Sequence, residues 1–362
     1  MKIALANNLY YPYNRGGAET VIKKMITDLR TQNHEVILFT LHPKKDNLKN
    51  VSSEKIQIST GDGIKIYRFA SNYFRLAEFS PLKKLLWHSG DIFSWKKTAT
   101  IKKILIDEKP ELIITHNLMG LGFQLPRVVR KLGIRHEHYL HDIQLLHPSG
   151  LMMFGEEWRV DSLSAKIYQY FTRNAFNSPA KVTSPSDWLL QEHLKRGFFT
   201  DSTKEVKKSN IIEDEIAISE RKDNPHSAKN FLFVGQIEYH KGIILLIKAF
   251  KKALRTKSDM HLTIIGDGGL LDEAKKIANE NKHIEFRGRV DNSEIKPLMA
   301  ANSYLIVPSL CYENSPTTIY EAHAVGLPVI AANIGGIPEI IQAGDKLFIP
   351  GDSEELKNKL LN

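Results

Sequence analysis

Short apolar runs alternate with helical patterns along the whole chain. The run Lys2–Ala6 is followed by apolar residues at helical spacing from Val21 onwards, and the same order recurs further along. Because apolar strands that alternate with helices favour a sheet buried on both faces, we predict α/β architecture. In the first half we expect strands at 2–6, 34–40, 63–68, 111–115, 136–140, 181–186 and 210–212, and helices at 71–109, 156–178 and 187–196.

The second half has the same alternation without repeating the sequence. The polar stretch 213–229 lacks apolar periodicity and contains Arg-Lys-Asp-Asn-Pro, which is typical of a linker. We therefore predict two doubly wound, Rossmann-like domains, 1–212 and 230–362, that face a central cleft. The second domain should have strands at 230–235, 261–265, 284–286, 304–307 and 328–331, and helices at 243–254, 270–281 and from about 352.

The stretch from Ser309 to Glu321 leads from a strand into a helix and carries two glutamates with seven residues between them. Glu313 should lie in the loop, and Glu321 about one turn into a helix that has Pro316 in its first turn. The N–H groups at the start of this helix form an anion site. Carboxylates that accept from hydroxyls, beside an anion site, suit a nucleotide sugar. From spacing alone, a surface loop with two solvated acids is an equal alternative.

Two features of the first half occur where open α/β sheets bind ligands. Gly16-Gly17 follows the first strand, and glycines let a ligand approach the backbone closely. His116 and His141 follow two successive predicted strands, just past their carboxyl ends. Neither feature is specific by itself, because the glycines also fit a plain helix-entry turn and a lone histidine is usually structural.

Composition limits the class of protein. The chain has 362 residues, enough for two domains, and its 42% apolar and 25% charged residues are typical of a soluble globular protein. The one cysteine, Cys311, excludes a disulfide framework and suits a reducing compartment, so we expect a cytoplasmic location. The N-terminus does not resemble a signal peptide, and no run of eighteen apolar residues predicts a membrane span.

Charge is distributed unevenly. Residues 1–209 hold 32 Lys and Arg against 20 Asp and Glu, a net charge of +12, whereas residues 210–362 hold 18 against 21, a net charge of −3. This asymmetry suggests that the first half meets an anionic surface, such as the inner face of the plasma membrane, and we expect no nucleic acid partner. Solvated lysines on ordinary amphipathic helices are an equal alternative. The candidate membrane-facing residues are Lys83, Lys84, Lys96 and Lys97, beside Trp87 and Trp95.

Several segments together resemble one known family. SLCYENSPTTIYE and the following HAVGLPVIAANIGGIPEII resemble the Glu-x7-Glu block of retaining glycosyltransferases of family 4 (glycosyl transferases group 1), which share the GT-B fold. FVGQIEYHKG, IIGDGGLLDEAKK and IEFRGRV occur in that family's order and rough spacing. The resemblance covers nearly the whole chain. It implies a hexosyltransferase with the acceptor on the first domain and a nucleotide-diphosphate sugar on the second.

The resemblance also implies roles for individual residues. Glu313 would hold hydroxyls of the donor sugar, Glu321 the ribose and Lys241 the diphosphate. His141, within YLHDIQLLHPSG, would face the transferred sugar, and it is favoured over His116, His138 and His147. We take Glu313, His141 and Lys241 as the candidate catalytic residues. The further donor-binding candidates are Gly16, Gly17, Gln236, Gly266, Arg289, Val290, Asn314, Ser315, Thr317, Thr318 and Glu321.

Three features depart from the family pattern. Gln236 stands where the family usually pairs an arginine with the lysine, so Lys241 would be the only cation of that pair. The turn at 266–269 reads Gly-Asp-Gly-Gly instead of the common Gly-x-Gly-Pro. The sequence ends at Asn362 inside a predicted helix, without the terminal crossover helix of relatives. Either this protein closes differently or its C-terminus is incomplete.

The implied reaction is transfer with retention of configuration to a glycan or lipid-linked acceptor, in cell-surface polysaccharide or glycolipid synthesis. The sequence lacks an Asp-x-Asp motif, so we expect no essential metal and no cofactor besides the donor. A sugar-nucleotide epimerase on the same fold remains an alternative. So does a non-catalytic nucleotide-sugar-binding subunit, because of Gln236. A dinucleotide dehydrogenase is disfavoured, because G-x-G-x-x-G is missing.

Overall fold

The chain forms two compact units in the computed structural model, which describes residues 1–14, 16–44, 56–177, 179–208 and 229–362. The first unit comprises Met1–Leu151 and Trp158–Lys207, and the second comprises Met152–Glu157 and Lys208–Asn362. The expected strand 210–212 and most of the expected linker lie outside the described residues. The exact domain boundary therefore stays a prediction.

The first unit is built on one mostly parallel sheet. Its described strands are β1 (Lys2–Ala6), β2 (Glu35–Pro43), β3 (Ile56–Gly61), β4 (Ile64–Ser71), β5 (Leu112–Thr115), β6 (Arg135–Tyr139), β7 (Lys181–Ser184) and β8 (Thr203–Val206). They lie in the order β3-β4-β2-β1-β5-β6-β7-β8, and only the edge pair β3-β4 is antiparallel. The helices are α1 (Gly17–Thr31), α2 (Pro81–Ile92), α3 (Trp95–Glu108), α4 (Leu125–Lys131), α5 (Leu163–Phe176) and α6 (Asp187–Leu194), with 3-10 turns at Asn72–Glu78 and Glu157–Asp161.

The second unit has a wholly parallel sheet within the described residues. Its strands are β9 (Lys229–Val234), β10 (Met260–Ile265), β11 (Ile284–Gly288), β12 (Tyr304–Val307), β13 (Val329–Ala332) and β14 (Lys346–Phe348), in the order β11-β10-β9-β12-β13-β14. The helices are α7 (Ile243–Leu254), α8 (Leu271–Ala278), α9 (Asn292–Ala300), α10 (Thr317–Ala324) and α11 (Ser353–Leu361), with 3-10 turns at Tyr239–Lys241 and Ile337–Glu339. The predicted pair of doubly wound α/β units is thus confirmed.

Helix α7 shows how the pattern directs packing. Ile243, Leu246, Ile247 and Phe250 recur at helical spacing, and all four are fully buried. Full burial of such a side chain is worth about 1.5–3 kcal/mol, so this face anchors the helix to the second sheet. The helix therefore begins in a fixed place, directly after Gly242, which follows Lys241.

Other elements differ from the prediction. Strands β3, β8 and β14 and helix α9 were not predicted; β3, for example, is a mostly exposed edge strand without an apolar run. The helix expected at 156–178 is interrupted, because the Ser162 side chain accepts from the Ala165 N–H and starts α5. Pro316 is the N-cap of α10 and not part of its first turn. No helix among the described residues is both long and apolar enough to cross a membrane.

Candidate active site

The predicted donor residues of the second unit follow the carboxyl ends of its strands. The chain runs from β9 outward to β11 on one side of the sheet and from β12 outward to β14 on the other, so β9 and β12 flank the switch point. Open α/β sheets bind ligands at such a point. Gln236 and Lys241 follow β9, Gly266 follows β10, Arg289 and Val290 follow β11, and Glu313, Asn314, Ser315, Thr317, Thr318 and Glu321 follow β12.

An ion pair joins the two sides of this switch point. Lys241 Nζ donates to Glu313 Oε1 over 2.6 Å, and the Ser309 hydroxyl donates to the same oxygen over 2.8 Å. Burial raises the pKa of Glu313, but the charge and hydrogen bond of Lys241 outweigh it, and the pKa is lowered. Burial likewise lowers the pKa of Lys241, and the charge of Glu313 more than offsets it. Both groups are therefore charged at neutral pH.

Two glycines allow this pair to form. Gly242, at φ +71°, starts α7 against the end of β12, where a Cβ would overlap the carbonyl oxygen of Pro308. Gly335, at φ +62°, leaves no room for a Cβ beside the carbonyl oxygen of Glu313, which accepts from the Gly336 N–H over 2.8 Å. The backbone on both sides of the ion pair is thus fixed by close approaches that only glycine permits.

The start of α10 follows Glu313 directly. Its N-cap is Pro316, whose side chain makes no capping hydrogen bond, and Thr317 and Thr318 are its first two residues. Ser315 Oγ lies 2.9 Å from the Tyr320 hydroxyl, which fixes the turn before the helix. Further along α10, burial raises the pKa of the half-buried Glu321, partly offset by the charge of Lys296. An anion at this helix start would meet backbone N–H groups and the positive end of the helix dipole.

The other predicted donor residues lie on the outward strands. The Gly266 N–H donates to the carbonyl of Gly288 over 2.8 Å, which ties the ends of β10 and β11 together. Arg289 is an exposed side chain whose Nε lies 3.6 Å from Asp267 Oδ2. Val290 follows it before α9 begins. The turn at 266–269, whose sequence departs from the family pattern, is held by Glu238. The Oε1 of Glu238 accepts from the Gly269 N–H over 2.7 Å.

The glycine pair of the first unit lies at its own switch point, after β1. Gly16 is the N-cap of α1, and its N–H donates to Glu19 Oε2 over 2.9 Å. A Cβ built on Gly16 would meet no atom within 4 Å, so its backbone is open to a ligand, and Gly17 begins the helix. This bond from the Gly16 N–H to the Glu19 side chain also fits the helix-entry interpretation, so the role of the pair stays a prediction.

His141 lies beside His116 at the ends of β6 and β5. His116 Nδ1 is 2.8 Å from His141 Nε2, and both rings lie against Tyr139. Burial lowers the pKa of His141 to about 3, so the ring is neutral. The other histidine candidates have local partners: His138 Nδ1 lies 2.9 Å from Thr115 Oγ1, and His147 Nδ1 lies 2.7 Å from Ser149 Oγ.

Sequence reasoning missed the polar network next to His141. Burial raises the pKa of Asp142 to about 6, and its Oδ2 accepts from Asn117 Nδ2 over 3.0 Å. Gln144 Oε1 accepts from the N–H groups of Leu118 and Met119. These residues shape the loop after β5. The signal was the run of polar residues after two strand ends, of which only the histidines were chosen as candidates.

Comparison with known proteins gives the same assignment for both halves. The family model described as Glycosyltransferase Family 4 matches residues 15–202, and the one described as glycosyl transferases group 1 matches residues 228–362. An uncharacterized 42.6 kDa protein in the cps region of Klebsiella pneumoniae is 24% identical, over 100% of this chain and 96% of that protein. Spore coat protein SA of Bacillus subtilis (strain 168) is 25% identical, over 99% of this chain and 87% of that protein.

Solved structures show the fold. Sucrose-phosphate synthase from Thermosynechococcus elongatus has a TM-score of 0.68 at 18% identity, over 99% of this chain and 88% of that chain. Anabaena HepE in complex with UDP has a TM-score of 0.67 at 18% identity, over 99% of this chain and 89% of that chain. The GT-B type of fold is thereby confirmed. Because the family model over residues 15–202 covers more than half of the sequence, this chain belongs to glycosyltransferase family 4.

Proposed function

We propose that this glycosyltransferase moves a hexosyl group, with retention of anomeric configuration, from a nucleotide-diphosphate sugar to a glycan or lipid-linked acceptor. The observation that carries the proposal is the Lys241–Glu313 ion pair at the switch point of the second sheet, followed directly by the start of α10. A cation and a helix N-terminus suit a diphosphate, and a charged carboxylate suits sugar hydroxyls. HepE, which has the same fold, binds UDP, UDP with glucose, and UDP-glucose.

In this reaction the bond between the sugar C1 and the donor phosphate breaks, and a bond from C1 to the acceptor oxygen forms on the same face. The acceptor proton passes to the departing phosphate oxygen, so no carboxylate acts as a base. Lys241 and the first N–H groups of α10 stabilise the charge that develops on that phosphate. Glu313 orients the sugar through its hydroxyls, and His141 offers a neutral ring nitrogen to the transferred sugar. No metal takes part, in line with the missing Asp-x-Asp motif.

The acceptor side of the proposal rests on the first unit. The similar protein from Klebsiella pneumoniae is named for a cps region, which is consistent with a glycan acceptor in polysaccharide synthesis. Helix α2 exposes Leu82, Leu85 and Leu86, each about two-thirds exposed, next to Lys83 and Lys84. Exposed leucines beside lysines suit an anionic lipid surface that carries a lipid-linked acceptor.

The function is tested by incubating the protein with a panel of nucleotide sugars and a lipid-linked glycan acceptor. We expect a product whose new linkage, read by NMR, keeps the anomeric configuration of the donor, and no product with Glu313→Ala. Near-normal turnover by Glu313→Ala would refute the role of this residue. Interconversion of nucleotide sugars without an acceptor would favour the epimerase, and tight binding without any turnover would favour the non-catalytic subunit.

A further inference from the structure

Residues 152–157 precede α5 in the sequence but fold with the second unit. We call them the 152–157 segment. The Phe154 N–H donates to the Leu310 carbonyl over 2.9 Å, and the Tyr312 N–H donates to the Met152 carbonyl over 2.8 Å. Between these bonds, Met153 and Cys311 form an antiparallel bridge. The 152–157 segment thus acts as a short strand on the backbone that leads into Glu313.

A side-chain bond completes this pairing. The Tyr312 hydroxyl donates to Glu157 Oε1 over 2.9 Å, and the Gly155 N–H donates to the same oxygen over 2.9 Å. Burial raises the pKa of Glu157, but the N–H groups of Glu157 and Gly155 and the hydroxyl of Tyr312 outweigh it, so the pKa is lowered. The acceptor is therefore a carboxylate, and hydrogen bonds to a charged group are roughly twice as strong as neutral ones.

The pairing bears directly on the position of Glu313. On one side of the glutamate loop, the Glu313 carbonyl accepts from the Gly336 N–H. On the other side, the residues before Glu313 are held by the 152–157 segment and by the His240 carbonyl, which accepts from the Leu310 N–H over 2.9 Å. The Cys311 Sγ lies 3.7 Å from Glu313 Oε1, so a side chain of the paired stretch also contacts the carboxylate. A shift of Tyr312 would move the adjacent Glu313 along with it.

We infer that Glu157 and Tyr312 are positioning residues, which hold Glu313 where it can bind the sugar of the donor. The inference rests on the proposed function, because it takes Glu313 as the group that binds sugar hydroxyls. It predicts a selective effect. The nucleotide and the diphosphate would meet Lys241, α10 and the loops after β10 and β11, whose contacts do not include the Tyr312–Glu157 bond. Removing this bond should therefore weaken binding of the nucleotide sugar but not binding of the nucleoside diphosphate.

The test measures binding of UDP-glucose and of UDP to the full chain by calorimetry; if the donor screen selects another nucleotide sugar, that donor and its nucleoside diphosphate replace them. Tyr312→Phe removes the donor of this bond and Glu157→Met removes its acceptor, and each variant keeps a side chain of similar size. We expect each to weaken nucleotide-sugar binding about tenfold and to change nucleoside diphosphate binding less than twofold. The double variant should be no weaker than either single variant, because both changes remove one interaction.

Tyr304→Phe is the matched control. Tyr304 begins β12, and its hydroxyl accepts from Lys346 Nζ over 3.0 Å, so this variant loses a comparable bond at the other end of the same strand. It should bind both probes like the original chain. Equal weakening of both probes by Tyr312→Phe, or unchanged affinity for the nucleotide sugar, would overturn the inference. If the unmodified chain transfers sugar and Tyr312→Phe binds the nucleotide sugar normally, only the positioning role is refuted. If the unmodified chain transfers no sugar, the proposed function itself is refuted.

Discussion

Lys241 Nζ and Glu313 Oε1 lie 2.6 Å apart, although the two residues are 72 positions apart in the sequence. The side chains are 28% and 15% exposed, so each charge depends largely on the other for solvation. The candidate phosphate-binding cation is thus paired with the candidate sugar-binding carboxylate. Because an ammonium has three N–H donors and a carboxylate has two oxygens, Lys241 can bind a phosphate and Glu313 a sugar hydroxyl while the bond between them is kept.

Removing one partner should destabilise the second unit. We expect Lys241→Met to lower the free energy of unfolding by about 2 kcal/mol, less than for a fully buried pair because both groups retain some exposure. Lys241→Met combined with Glu313→Gln should recover most of this loss, since no charge is then left unpaired. Urea unfolding checks both variants. Additive losses in the double variant would show that the pair is not coupled.

Lys241 should matter more for the diphosphate than Gln236. Both follow β9, but only the lysine carries a charge, and a charged donor makes a hydrogen bond roughly twice as strong. We expect Lys241→Ala to weaken nucleoside diphosphate binding more than Gln236→Ala does. Gln236→Arg should tighten it by restoring the second cation that relatives usually have. Equal losses in the two alanine variants would assign Gln236 a larger role than proposed.

Gly335→Ala should abolish transfer while the protein stays folded. A Cβ at this position would overlap the Glu313 carbonyl oxygen, so the glutamate loop must shift. Gly344→Ala is a suitable control, because Gly344 also has a positive φ, at +95°, but a Cβ there meets nothing within 4 Å. Both variants carry the same kind of backbone strain. Activity assays should therefore separate them, and equal activity would show that the loop tolerates displacement.

Stability should fall steeply as the pH drops below 6.5. Burial strongly lowers the pKa of five histidines in the first unit, to about 3 for His136 and about 4 for His193, and it also lowers the pKa of His88 and His147. A histidine with a lowered pKa stabilises the fold above its unfolded pKa of about 6.5, and this contribution is lost as the pH falls towards the folded pKa. Burial also raises the pKa of two carboxyls of the first unit, and their effect on the pH dependence of stability has the opposite sign. The five strongly shifted histidines are His116, His136, His138, His141 and His193, and the carboxyls are Asp91 and Asp142.

The histidines outnumber the carboxyls, so unfolding near pH 5 should take up protons. Urea unfolding at pH 7.5, 6.0 and 5.0 measures this dependence. His193→Gln should reduce the uptake by about one proton. His261→Gln changes an exposed histidine of the second unit and should leave it unchanged. A flat stability profile between pH 7.5 and 5.0 would contradict the prediction.

Anionic vesicles should bind the protein through α2. Lys83→Glu with Lys84→Glu should abolish co-sedimentation with anionic vesicles, because each lysine near such a surface contributes about 1 kcal/mol. Lys275→Glu with Lys276→Glu on α8 is the control, since it makes the same charge change on an exposed helix of the second unit. Binding should fall as the salt concentration rises, because screening shortens the range of the electrostatic attraction to about 8 Å at physiological ionic strength. No binding at low salt would exclude the membrane proposal.

One of the predicted membrane lysines does not fit this surface. Lys97 donates to the carbonyl of Gly120, and burial lowers its pKa, partly offset by the charge of the buried Asp91. Lys97 therefore supports the loop after β5 and does not present its charge to a membrane surface. Trp87 is half-buried against Tyr73, whereas Trp95 is exposed. Helical spacing could not tell which of these side chains are exposed and which are buried, because this depends on how α2 and α3 pack.

Local patterns predicted the elements whose apolar residues form a continuous run or recur at helical spacing. Both α7 and β12 have the expected bounds, because their apolar residues alone determine which face is buried. Edge strands such as β3 bury too little to leave a pattern. The Lys241–Glu313 bond was not predicted either, since the sequence marks both residues as ligand-binding but not as partners. The 152–157 segment has no periodicity, and its pairing depends on backbone groups that sequence does not distinguish.

The 152–157 segment has a consequence for recombination between relatives. A chimera joined after residue 207 would take its glutamate loop from one parent and this segment from the other. The tyrosine hydroxyl and its carboxylate acceptor would then come from sequences that never folded together. Exchanging donor specificity by swapping C-terminal halves therefore needs two further crossovers, before residue 152 and after residue 157, so that these six residues come from the same parent as the C-terminal half. Substitutions at Glu157 and Tyr312 should accordingly be inherited as a pair.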